Sequence, residues 1–308
     1  MHSQIIVSGP AAGTPPRAGT KGIVVFLLIA FGTAWGGMFG ARMLGFSLVN
    51  PLVQLPFGFA PAIAAIVVRR WVTREGFGDA GLAVKLRSLW RYYLGAWLGP
   101  LMLVPVTAGL AALAGIWRPS LAPLETHVAG LPVWAFVLVL LVVVPLLAPL
   151  YWGEEFGWTS YLRLRLFPGR PVLSTTATGL IWAVWHYPLA FLGYIEFPHV
   201  VIGLLVWTGS FLCQETMLSW LRVRSGSIWP VSLAHAGNNM VLSLLSGALL
   251  STYTNADVTM STLLSGAAVG VGCLALAVTT GHGASAGTGR PPVSRRPVRG
   301  RRSRRCGP

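Results

Sequence analysis

Glu154 and Glu155 stand side by side after the apolar run PVWAFVLVLLVVVPLLAPLYWG and before FGWTSYLRLRL. An uncompensated carboxylate in hydrocarbon costs several kcal/mol, so such a pair persists where a partner meets it or a function needs it. Two candidate partners come later in the chain: His186, in Trp182-x-x-x-His186, and His235, in His235-x-x-x-Asn239. Residues four apart share a helix face, so each pair can present two groups to one cavity. The adjacent glutamates point about 100° apart on a helix and take inequivalent places. Activation of water is the chemistry that suits this set. A glutamate in a low dielectric can take a proton from water, and a neutral histidine can hold a metal or orient the water. An asparagine can donate to a developing oxyanion.

The elements that must position these groups are membrane helices. The 308 residues are 54% hydrophobic and 10% charged, with a mean hydropathy of +0.66. Soluble domains carry about 25% charged residues, so the chain reads as an all-α polytopic membrane protein. Eight apolar runs are expected to span, at roughly 23–46, 50–69, 93–116, 131–153, 174–194, 200–221, 228–250 and 260–280. Each is near the ~20 residues a bilayer needs. The site then lies among helices of the C-terminal half. Residues 1–22 and 281–308 read as disordered tails flanking a membrane domain at 23–280. The first apolar run is too long for a signal peptide's core, so none is expected. The cysteines, Cys213, Cys273 and Cys306, have no metal or disulfide spacing, and Cys306-Gly-Pro is not a prenylation signal.

With eight spans both termini share a side, and 21 of the 23 Lys and Arg residues fall on it; only Arg42 and Arg118 do not. The positive-inside rule places that side in the cytoplasm. The net charge of +15 is therefore a topology signal, and no nucleic-acid partner is expected. At 1.5 Å per residue, His235 lies about 16 Å past Arg224 and Glu154 about 13 Å before Arg163. His186 lies at most about 24 Å past Arg170. All three can share a level in the cytoplasmic half.

Plainer roles exist for each residue alone. Intramembrane histidines often serve as helix-to-helix hydrogen-bond partners. The two glutamates can cap an interfacial helix or pair with Arg163 or Arg165. Glu215, seven residues before Arg222, reads as a structural ion-pair partner, and the aromatics of WAVWHYP read as packing and interface anchors.

The ordered set Glu154-Glu155-Phe156-Gly157-Trp158, Trp182 through His186 to Pro188, and Ser227-x-x-Pro230 through His235 to Asn239 resembles the CAAX prenyl protease and bacteriocin-processing (CPBP, or ABI) superfamily of intramembrane endopeptidases. The resemblance covers about 150–240. It implies that Glu154 activates water, that Glu155 supports it, and that His186, His235 and Asn239 complete the catalytic set. His186 and His235 are the implied metal ligands, with Zn2+ as the metal; a metal-free glutamate mechanism is the alternative for this superfamily. Thr159 stands where the superfamily commonly has arginine, and Ser160 where glycine is common.

The resemblance implies a peptide or protein substrate at the bilayer, cleaved near the cytoplasmic face. The bias of 21 Arg to 2 Lys suggests a GC-rich coding sequence and so a prokaryotic plasma membrane. Two other readings are a non-catalytic scaffold of the same fold and a small proton-coupled transporter. A transporter should show inverted repeats, and none is evident.

Overall fold

The computed structural model describes residues 19–127, 131–251 and 257–285. Among them there are helices and no strands. Among the described residues seven helices are long and apolar enough to cross a bilayer, and the protein is an all-α polytopic membrane protein. Residues 1–18 and 286–308, which hold most of the expected tails, lie outside the described residues.

α1 runs Thr20–Met43, α2 Pro51–Gly58 and α3 Ala60–Val67. Pro61 lacks the N–H that would bond to Phe57, so the second crossing breaks at Phe59 and resumes as α3. It ends in a π turn, Val68–Val72. α4, Leu86–Leu113, is the third crossing, and α5, Ala122–His127, is a single short turn. α6, Val133–Gly157, is the most lipid-facing crossing. The sequence places its end before the glutamates. The helix instead carries on through Glu154 and Glu155, into a π turn at Trp158–Leu162 and a last turn, α7, Arg163–Arg165.

α8, Pro171–His186, is the run expected at 174–194. Its 16 residues span about 24 Å, less than the ~30 Å of a bilayer core, and it is not among the seven long helices. Pro188 explains the early stop, because it disfavours helix at the residue before it and has no N–H. The chain tightens into a 3-10 turn, Tyr187–Ala190. α9 is Val200–Ser225 and α10 is Trp229–Gly237. A third π turn, Asn238–Ser243, joins α10 to α11, Leu244–Ser251. α12 runs Val258–Ser285.

The chain divides into two units, residues 1–273 and 274–308. The second contains the C-terminal part of α12. In the first, α10 is central and packs on α6, α4 and α9, while α3 packs on α1 and α6, and α8 on α9. Prolines and glycines make the close approaches. Pro145 frees the carbonyl of Leu141 on α6, and the Trp97 indole of α4 donates to it at 2.8 Å. A Cβ on Gly237 of α10 would lie 2.7 Å from Pro100 of α4.

At one end of the bundle the loop at 73–85 is held by buried arginines. Arg69 donates to Asp79 at 2.7 Å and to the Gly76 carbonyl at 2.6 Å, and Arg165 bonds Glu75 at 2.7 Å and Asp79 at 3.1 Å. Arg222 donates to the Asp79 carbonyl at 2.7 Å. Burial alone would raise the Asp79 carboxyl, but the Arg69 hydrogen bond and the charges of Arg69 and Arg165 hold it below the usual aspartate range. The unfolded chain therefore binds a proton before the folded one. This contribution to stability is complete above about pH 4 and fades as pH falls toward the lowered value. We expect the thermal midpoint in detergent to fall below about pH 4, and Asp79→Asn to lower it at pH 7 while flattening that acid limb. An unchanged acid limb in Asp79→Asn would contradict this assignment.

Candidate active site

The turn carrying the glutamates is fixed from behind by glycines. Gly153 and Gly157 lie one turn apart on α6 and face the break between α2 and α3. A Cβ at Gly153 would sit 2.9 Å from the Gly58 carbonyl oxygen, and one at Gly157 would sit 2.3 Å from Pro61. Small residues at this spacing let two backbones touch. Glu154 and Glu155 occupy the turn between them and point to other sides.

Glu154 points to α8. Its Oε2 accepts the Trp182 indole N–H at 2.8 Å and lies 3.9 Å from His186 Nε2. His186 Nδ1 is 3.0 Å from the Trp182 carbonyl. A carbonyl only accepts, so Nδ1 carries the proton and Nε2 presents a lone pair toward Glu154. Glu155 points to α10, where its Oε1 meets His235 Nδ1 at 2.8 Å. With Glu155 ionised, the His235 proton lies on Nδ1 and donates to the carboxylate, which leaves Nε2 as an acceptor. The Glu155 side chain is 1% exposed and its Oε2 has no partner, whereas the Glu154 side chain is 13% exposed.

Aromatic rings enclose the set. Trp182 meets His235 edge-on at 5.1 Å and His186 at 5.7 Å, and Phe211 stacks on His186 at 4.5 Å. Tyr151, one turn before the glutamates, lies 4.6 Å from the His235 ring, and its hydroxyl pairs with the Asn239 side chain. Asn239 enters from the π turn that continues α10. The five residues singled out from sequence thus come together on α6, α8, α10 and that π turn.

The alternative in which the glutamates pair with Arg163 or Arg165 is not what forms. Arg165 is committed to Glu75 and Asp79, and Arg163 donates to Thr175 at 3.3 Å. Thr159, at the superfamily's usual arginine, is fully buried and bonds back to the Glu155 carbonyl at 2.9 Å. Glu215 is buried on α9, where Ser219 donates to it at 2.6 Å and Arg163 is its electrostatic neighbour. Trp182, which the sequence pairs with His186 on one face, joins the site through its indole N–H, and Tyr151 joins it although the sequence does not single it out. A signal is present for Tyr151, which lies three and four residues before Glu154 and Glu155.

A structural or catalytic zinc site wants three or four protein donors. Among the described residues no group of three or more His, Cys, Asp or Glu side chains is arranged to hold a metal ion. His186 Nε2 and His235 Nε2 are the donors a metal would use, since Glu155 is bonded to His235 Nδ1 and so orients that ring.

Residues 130–241 match the family described as type II CAAX prenyl endopeptidase Rce1-like. The match spans all three motifs and bears out the superfamily read from them. No curated protein matches the chain.

Two variants probe this arrangement. Trp182→Phe removes the indole N–H but keeps a ring, and we expect turnover to fall about 10- to 100-fold with little change in thermal midpoint. Gly157→Ala forces backbone apart and should cost about 1–3 kcal/mol, seen as a lower midpoint. An unshifted midpoint in Gly157→Ala would mean that the α6 seam does not set the position of the glutamate turn.

Proposed function

We propose, on the premise of the type II CAAX prenyl endopeptidase match over residues 130–241, that this protein is an intramembrane endopeptidase using Glu154 as its base. The observation that carries this reading is the 3.9 Å gap between Glu154 Oε2 and the His186 Nε2 lone pair. That spacing is too long for a hydrogen bond and suits one water held by both. Glu155 is bonded to His235 and almost wholly enclosed, so its role is to fix the His235 tautomer and ring.

In this mechanism the water gives one proton to Glu154 while His186 accepts its second O–H. Its oxygen attacks the scissile carbonyl carbon and forms the new C–O bond. The carbonyl oxygen takes the negative charge, and the Asn239 amide donates to it. His235 Nε2 accepts from the substrate or the water. Collapse breaks the C–N bond, and Glu154 returns its proton to the leaving amine. Every proton is accounted for without a metal, and no step is assigned to one.

The substrate proposed is a peptide or protein segment at the membrane, reached from the cytoplasmic face of a prokaryotic plasma membrane. The basic residues of the loops, and both termini if α8 also crosses, lie on that face under the positive-inside rule.

The test is cleavage of a peptide library by purified protein, beside Glu154→Gln and Glu155→Gln, with and without a chelator. We expect Glu154→Gln to lose turnover by at least about 1,000-fold with the fold intact, and Glu155→Gln to lose less. Chelation should leave activity unchanged. Full activity in Glu154→Gln would end this mechanism. Loss on chelation with recovery on Zn2+ would restore a metal through ligands that include the substrate. No cleavage by folded protein would favour the scaffold or transporter reading.

A further inference from the structure

A cavity of about 490 Å3 opens at the end of α3, walled by Arg69, Arg70, Trp71, Arg74, Glu75 and Gly76. Its inner wall is already committed. Arg69 bonds Asp79, Gly76 and the Ser160 carbonyl, and Glu75 bonds Arg165. Its outer wall is different. Arg70 and Arg74 are exposed, and among the described residues neither forms an ion pair or a side-chain hydrogen bond. Arg74 holds a left-handed backbone, φ 52°, a strained conformation for a non-glycine residue. Within the π turn Val68–Val72, Arg70 and Trp71 are offset from the helical register that precedes them.

We propose that this cavity binds the phosphate diester headgroup of an anionic glycerophospholipid. Two guanidiniums with no ion-pair partner line one concave wall, and each can offer a fork of N–H donors to a phosphate's oxygens. Trp71, 64% exposed, offers the amphipathic ring that sits at a headgroup level. A free phosphate would use the arginines alone. A lipid also needs an apolar track, and Ile63 and Ile66 supply one. They are exposed on α3, in the last two turns before the π turn that carries Arg70. The volume suits a headgroup with its glycerol.

The site has a consequence for the glutamate turn. Arg69 joins the cavity wall to the Ser160 carbonyl, in the π turn directly after Glu154-Glu155. Glu75 joins it to Arg165, at the end of the same helix. A bound headgroup therefore braces the wall that holds the candidate active site. Lipid binding itself does not depend on the protein being a protease.

The test measures binding of phosphatidylglycerol, phosphatidylcholine and inorganic phosphate to the delipidated full chain in neutral detergent. The variants are Arg70→Ala/Arg74→Ala and, as a charge-matched control, Arg87→Ala/Arg91→Ala. We expect phosphatidylglycerol affinity to fall about 30-fold in the first and less than about threefold in the second. Phosphatidylcholine should bind weakly to both. Thermal midpoints should rise with phosphatidylglycerol in the wild type and in the control only. Equal losses in the two variants would show diffuse attraction to basic residues and overturn the site. Displacement of the lipid by equimolar inorganic phosphate would assign the cavity to a free anion instead.

Discussion

Glu155 and His235 meet at 2.8 Å in the interior of an apolar bundle, and this bond ties α6 to α10. Neither group can be left alone there. A carboxylate without a donor, or a ring nitrogen without an acceptor, costs more in hydrocarbon than the bond itself returns in water. The pairing therefore fixes how α6 rotates against α10. Once α6 is set, the neighbouring residue is set too, and Glu154 is carried round to face Trp182 and His186. One obligatory contact thus separates two chemically identical side chains into one enclosed against His235 and one less enclosed, bonded to Trp182 and near His186. The division of labour proposed for them comes from position, since their intrinsic chemistry is the same.

Among the described residues three π turns occur where polar groups gather: Val68–Val72 at the arginine-lined cavity, Trp158–Leu162 after the glutamates, and Asn238–Ser243 carrying Asn239. A π turn inserts one residue into a helix and shifts the register of every residue beyond it. The expected i,i+4 relation of His235 and Asn239 spans such a turn. Asn239 stays within the site, beside Tyr151, although its surroundings are no longer those of a regular helix.

Much of this is legible in the sequence because hydrocarbon simplifies the code. A run such as FVLVLLVVVPLLAPL has one use, and carboxylates and histidines inside apolar runs are few enough to enumerate. Glu154, Glu155, His186, His235 and Asn239 emerge from that enumeration. The end of α6 does not, because the glutamates look like the edge of a span when read by composition. Their partners lie on other helices, which hydropathy does not reveal. α8 is shorter than its apolar pattern because Pro188 acts locally while the pattern continues beyond it. The spacing puts Trp182 on the face of His186, but its donor role stays hidden because its indole N–H is one polar atom on a large apolar ring. Arg69, Arg165 and Arg222 carry the topology signal as if exposed, yet they are buried, only 0%, 3% and 6% exposed. Their acidic partners, Glu75 and Asp79, lie about 90 residues from Arg165 and nothing local marks the pairing.

Those buried arginines explain how the turn after the glutamates keeps its form. A π turn leaves carbonyls poorly served by the helix's own N–H groups, and inside a bundle no water is at hand to make up the deficit. Arg69 reaches from the end of α3 to the Ser160 carbonyl at 3.1 Å, and Arg165 reaches back to the Tyr161 carbonyl at 3.1 Å. Arg222, from α9, donates to the Ser160 hydroxyl at 3.0 Å. Two guanidiniums thus supply donors that the irregular backbone lacks, and the third holds the Ser160 side chain beside them. They need counter-charges in turn, and Glu75 and Asp79 of the connecting loop provide them. The loop is held because the arginines need it, and the arginines are buried because the π turn needs them. The irregular backbone beside Glu154 and Glu155 is therefore sustained by a polar network that reaches the edge of the bundle, outside the site itself.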